Sequence, residues 1–179
     1  MIYLFKPLPS SDMDYSNWTP FIKNAWLRKN FMKFVYSLQV VLYLVALMLG
    51  VWNFANGAIQ TIILVLLLVV HELLHMLVVY KIGDISVTYS GLFFWINSTA
   101  TMSKKRYWLF VTLPLLVLTV IPIFILPFTD GVAFQLIRFI VWLNMCMSSF
   151  DIIKSILVAI KPSNAKFNRG YYIVETQGM

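Results

Sequence analysis

Four long apolar segments restrict this chain more than any other feature. They run roughly from Phe34 to Trp52, from Ala58 to Tyr80, from Tyr107 to Phe128 and from Val132 to Ile160. A helix needs about 20 apolar residues to cross the hydrocarbon core of a bilayer. All four segments come close to that length, and the fourth is long enough to tilt or to begin as an interfacial turn. The sequence is 60% hydrophobic and only 12% charged, where soluble domains carry about 25% charged residues. A soluble core of this size cannot absorb so much apolar surface, whereas lipid can. The expected fold is therefore an all-α membrane protein with about four transmembrane helices.

The placement of cations gives the orientation. Lys6, Lys23, Arg28, Lys29 and Lys33 precede the first segment. Lys81, Lys104, Lys105 and Arg106 lie between the second and third, and Lys154, Lys161, Lys166 and Arg169 close the fourth. The short connections Asn53 to Gly57 and Thr129 to Gly131 carry none, and Arg138 alone departs from the pattern. The positive-inside rule then places both termini in the cytoplasm, and the composition fits a bacterial plasma membrane. A net charge of +7 would raise nucleic acid as a partner for a soluble chain. Here the cations flank apolar runs, so no nucleic-acid partner is expected and the bilayer is the first one.

The chain divides into an interfacial N-terminal segment (1–33), a transmembrane domain (34–160) and a cytoplasmic tail (161–179). Residues 1–33 lack the apolar stretch of a cleavable signal, so the first span is expected to act as a signal-anchor. Trp18, Phe21, Trp26 and Phe31 alternate there with cations, which suggests a short interfacial helix over Asp14 to Lys33, with an irregular solvated tail as the alternative. From Ile82 to Arg106 β-branched and aromatic residues dominate, with Gly91 as the turn. This stretch reads as a short cytoplasmic-side β-hairpin between helices two and three. Pro114, Pro122 and Pro127 are expected to kink or end the third span. The single cysteine, Cys146, excludes an intramolecular disulfide and reads as a small buried hydrophobe.

His71, Glu72, Leu73, Leu74 and His75 form HExxH inside the second apolar segment, and these are the only histidines of the chain. Positions i and i+4 share one face of a helix, so two imidazoles can reach one metal ion while the glutamate reaches its water. The bland alternative, two histidines and a glutamate serving helix packing, fares badly in lipid, where ionisable groups are costly. Catalytic zinc uses a third protein ligand. Asp151 is the other acidic residue deep in the apolar segments. It lies about as far from Lys161 as His71 lies from Lys81, roughly 15 Å of helix in each case. An ion pair with Lys154, three residues on, is the competing use of Asp151. Asn144 lies two turns before Asp151 on nearly the same face. It could hydrogen-bond a ligand, hold a substrate backbone or join two helices. Ser148 and Ser155 share that face and read as small packing residues.

HELLH on one span, with an asparagine and then an aspartate on a later one, resembles the site-2 protease class of intramembrane zinc metalloproteases. More closely, the stretch from Ala58 to Ile160 is similar to the DUF3267 family of membrane zincins. The likeness includes the hairpin-like stretch, the run from Ser103 to Tyr107, Pro114, and Asn144 through Asp151. The resemblance implies a zinc cofactor held by His71, His75 and Asp151, Glu72 as catalytic base and Asn144 as a substrate-positioning residue. The implied reaction is hydrolysis of peptide bonds in a membrane-protein or peptide substrate. Met147 and Ile152 depart from the proline and glycine usual in site-2 proteases. Two other classes stay open. One is an inactive membrane scaffold that kept the metal; the other is a small transporter using Glu72 and Asp151 as a relay. A haem is disfavoured, because histidines at i and i+4 cannot sit on opposite faces of one ring. Neither the substrate sequence nor the oligomeric state is legible.

Overall fold

The structure, a computed structural model, describes residues 1–6, 8, 14–90 and 93–174. The expected turn at Gly91 lies outside these residues. The first helix, α1, spans Ala25–Met48. Its N-cap is Asn24, whose side chain accepts the Leu27 N–H at 3.0 Å, relieving one of the unpaired donors of the first turn. Neither glycine nor proline interrupts the next 24 residues. The interfacial helix expected over Asp14 to Lys33 is therefore no separate element: its second half forms the first turns of α1. Asn56 caps α2, Gly57–Val79, in the same way through Ile59.

Ser103 caps α3, Lys104–Leu115. Its continuation is irregular, as the prolines require. A π-turn occupies Leu116–Val120, a short α4 spans Ile121–Ile125, and a 3-10 turn at Leu126–Phe128 ends the run. The fourth apolar segment is two helices, α5 (Gly131–Met147) and α6 (Ser149–Ala159), bent by 62°. No proline causes the break. The Ser149 hydroxyl donates to the Cys146 carbonyl at 2.8 Å, the kind of side-chain bond that competes with the helical ladder.

Three helices are long and apolar enough to cross a membrane, and the bent pair makes up to four. Only 11% of the most apolar window of α1 and 28% of that of α2 is buried. Their apolar excess faces outward, where lipid rather than protein must cover it. Arg138, the stray cation, donates to the Leu49 carbonyl and so closes the C-terminal end of α1.

The all-α expectation needs correcting, because seven short strands form two sheets among the described residues. In the first sheet β1 (Ile2–Leu4) runs parallel to β3 (Ile85–Ser90), which pairs antiparallel with β4 (Phe93–Ser98). In the second, β2 (Thr19–Pro20), β7 (Tyr171–Val174), β6 (Ala165–Asn168) and β5 (Met102–Ser103) lie side by side, all antiparallel. Short strands from before α1 and after α6 thus pair with each other and with the α2–α3 connection. The Phe167 ring is fully buried and stacks on Tyr107, 4.8 Å away with an interplanar angle of 10°. Through this contact the second sheet is fastened to α3.

Gly83 joins α2 to the first sheet at a close approach. A Cβ there would lie 2.7 Å from the Ala100 backbone nitrogen. Gly83→Ala is expected to cost about 1–3 kcal/mol, the usual range for overpacking. A lowered unfolding midpoint in detergent checks this, and an unchanged one means the segments at Gly83 and Ala100 can part at no cost.

Candidate metal centre

His71 and His75 stand one turn apart on the inward face of α2, with ring centroids 5.0 Å apart. Asp151 sits in the first turn of α6. The 62° break above it turns α6 so that its carboxylate meets both imidazoles. Asp151 Oδ2 lies 3.2 Å from His71 Nε2 and 3.2 Å from His75 Nε2. The three donor atoms fall within 4.8 Å of one another, and all three residues are buried.

The far nitrogens of the rings fix their tautomers. His71 Nδ1 is 3.0 Å from Asn144 Oδ1, and His75 Nδ1 is 2.6 Å from the Phe110 carbonyl. The Asn144 amide nitrogen in turn donates to Thr119 Oγ1 at 2.9 Å and to the Pro114 carbonyl at 3.3 Å. With its NH2 so engaged, Asn144 presents its oxygen to His71, so His71 Nδ1 must carry the proton. A backbone carbonyl likewise demands a proton on His75 Nδ1. Both Nε2 atoms are left with lone pairs aimed at a carboxylate oxygen. In the neutral rings, three converging acceptors repel one another unless a proton or a metal ion lies between them.

A proline supplies one of these contacts. In an α-helix the Phe110 carbonyl accepts from the N–H four residues on, and that residue is Pro114, which has none. The carbonyl is therefore free to take the His75 proton. Proline in α3 orients a histidine on α2.

Glu72 is half-buried and stands outside the three-atom cluster, but it lines the same cavity of about 640 Å³. This cavity lies between α2, α6, α3 and the β3–β4 hairpin. Gln39 of α1 also lines it. Asn144 does not: it is fully buried behind His71, so the place expected for it beside a substrate is not where the structure puts it. The Lys154 alternative for Asp151 is not realised either, since the aspartate faces the histidines. Ser148 is fully buried, in keeping with packing.

Thr119, the Phe110 carbonyl and Gln39 escaped the reading of the sequence. Threonine in an apolar run carries no signal. Phe110 was marked only indirectly, by the proline four residues later. Gln39 was marked by being an amide in the middle of an otherwise apolar span.

Fold and site together define a helical protein, mostly apolar on its outside, with two histidines and a carboxylate gathered around a buried point. The model of the DUF3267 family, described as "Putative zincin peptidase", matches residues 63–166, more than half of the chain, and the chain belongs to that family. The match contains His71, Glu72, His75, Asn144 and Asp151. No curated protein and no solved structure matches the chain.

The donor set fits zinc. Imidazole nitrogen and carboxylate oxygen are ordinary zinc donors at about 2.0–2.2 Å, and in a tetrahedron such bonds set donors roughly 3.3 Å apart. The two separations of 3.2 Å agree with that edge length. Hydrogen-bonded partners behind metal-binding histidines usually change metal affinity 10–100-fold when removed, as an order of magnitude. Asn144→Ala is therefore expected to weaken zinc binding by about that factor without abolishing it. Competition with a chelator of known affinity measures this, and an unchanged affinity would deny Asn144 any part in orienting His71.

Proposed function

We propose that this chain is a membrane-embedded zinc metallopeptidase that cuts peptide bonds of membrane-associated substrates. The observation that carries the proposal is the convergence of His71 Nε2, His75 Nε2 and Asp151 Oδ2, with the other nitrogen of each ring already tied to an acceptor. These three residues would hold the ion. Bound there, zinc would polarise both a water molecule and the substrate carbonyl. Glu72, beside the cluster and inside the cavity, takes a proton from the attacking water and returns it to the leaving amine. Asn144 and the Phe110 carbonyl keep the imidazoles in register.

The substrate backbone is taken up in extended form. Strand β4 is the outer strand of its sheet, and Trp95, Ile96, Asn97 and Ser98 line the cavity. An edge next to the reacting groups supports strand addition as the mode of presentation. Both termini lie in the cytoplasm, with the loop between α2 and α3 on the same side. Pairing of β2, β5, β6 and β7 in one sheet supports this, since it gathers those three cation-bearing regions at one end.

The test is zinc content and proteolysis of the detergent-purified chain together. About one zinc per chain and cleavage of a membrane-anchored peptide support the proposal. Metal without cleavage of any peptide favours the scaffold reading, and a metal-free preparation protected from chelators removes the enzyme.

A further inference from the structure

Lysine inside an apolar segment is costly and usually has a partner. Lys154 follows Asp151 by one turn of α6, the spacing of an ion pair. Yet Asp151 turns to the histidines, and among the described residues no carboxylate lies within 4.0 Å of the Lys154 ammonium. The ammonium rests instead against three rings, 5.0 Å from the centre of Phe150, 5.2 Å from Tyr107 and 6.0 Å from Phe110. Aromatic faces attract a cation but accept no ordinary hydrogen bond. The three N–H donors of the side chain thus find no protein acceptor among the described residues.

The ammonium is half-buried and lines the same cavity as His71, Glu72 and Asp151. Phe110 touches both, its carbonyl holding His75 and its ring lying against Lys154. Arg169, at the turn between β6 and β7, lines the cavity from the other side.

We infer that Lys154 forms an anion subsite beside the reacting groups, so that the substrate carries a carboxylate close to the bond to be cut. The position of the bond rests on the peptidase reading; the subsite itself rests on the cavity and the ring-held ammonium. An acidic side chain and a free C-terminal carboxylate offer the same chemistry.

The experiment uses the full chain, zinc-loaded in detergent, in a Glu72→Gln background so that peptides bind without turnover. The probes are dansyl-labelled apolar peptides that differ only in a central Glu or Gln, each made with a free and an amidated C-terminus. A carboxylate is expected to tighten binding about tenfold, the low end for a hydrogen bond between charged groups. Lys154→Met should erase the preference and Lys154→Arg should keep it, which separates loss of charge from loss of fold. Preference for Glu over Gln identifies a side-chain carboxylate, and preference for the free over the amidated end identifies the terminus. Equal binding across the set, or a preference that survives Lys154→Met, overturns the inference. Failure of the peptidase reading looks different: no peptide is cleaved by the chain with Glu72 intact, while the carboxylate preference persists.

Discussion

Replacing His71 and His75 together by alanine is expected to take bound zinc from about one ion per chain to none, and proteolysis with it. The two Nε2 atoms are two of three converging donors, and Asp151 alone cannot hold a divalent ion against water at useful affinity. Asp151→Asn removes the only charged donor but leaves both imidazoles, so it should reduce zinc occupancy rather than abolish it. The double variant also leaves a buried carboxylate without its partners, which by itself destabilises a fold. Chelator-stripped wild-type protein is therefore the proper comparison for stability. Metal analysis after gel filtration decides the matter. Full zinc content in the double variant would mean that the ion binds elsewhere and that the histidines serve packing.

The second large effect separates metal binding from chemistry. Glu72 lines the cavity but lies outside the donor cluster. Glu72→Gln keeps its shape and hydrogen-bonding atoms while removing its basicity. Zinc content should stay at the wild-type value, and the cleavage rate should fall by about 10²–10⁴, the usual contribution of a general base. A single-turnover assay with excess enzyme isolates the chemical step from product release. A variant that still cleaves within a few-fold of wild type would strip Glu72 of the role of base.

The spans and the heart of the site were readable because each rests on a local rule. HExxH places two imidazoles on one helical face, and Asp151, the other acidic residue deep in the apolar segments, lies at matching depth. What escaped the reading depended on partners distant in the chain. Strands β2, β5, β6 and β7 have two to four residues each, too short for an alternating pattern, and only their mutual pairing makes them strands. The break at Ser148 has no proline to announce it. Pro114 was legible as a kink, but its effect on His75 requires knowing that α3 packs against α2. The sequence offers Lys154 as a partner for Asp151, because spacing along one helix cannot reveal the rings of Tyr107 and Phe110 on another.

The four-stranded sheet also bears on when the site comes into being. Its strands come from residues 19–20, 102–103, 165–168 and 171–174, and Arg169 and Gly170 at its last turn line the cavity. A growing chain emerges from the ribosome N-terminus first. At the moment HELLH enters the membrane, the aspartate that faces it has not been made, and the wall of the cavity follows later still. The nascent polypeptide thus carries two histidines and a glutamate with no finished pocket around them. The cavity around them is complete only with the closing strands, after every span is in place.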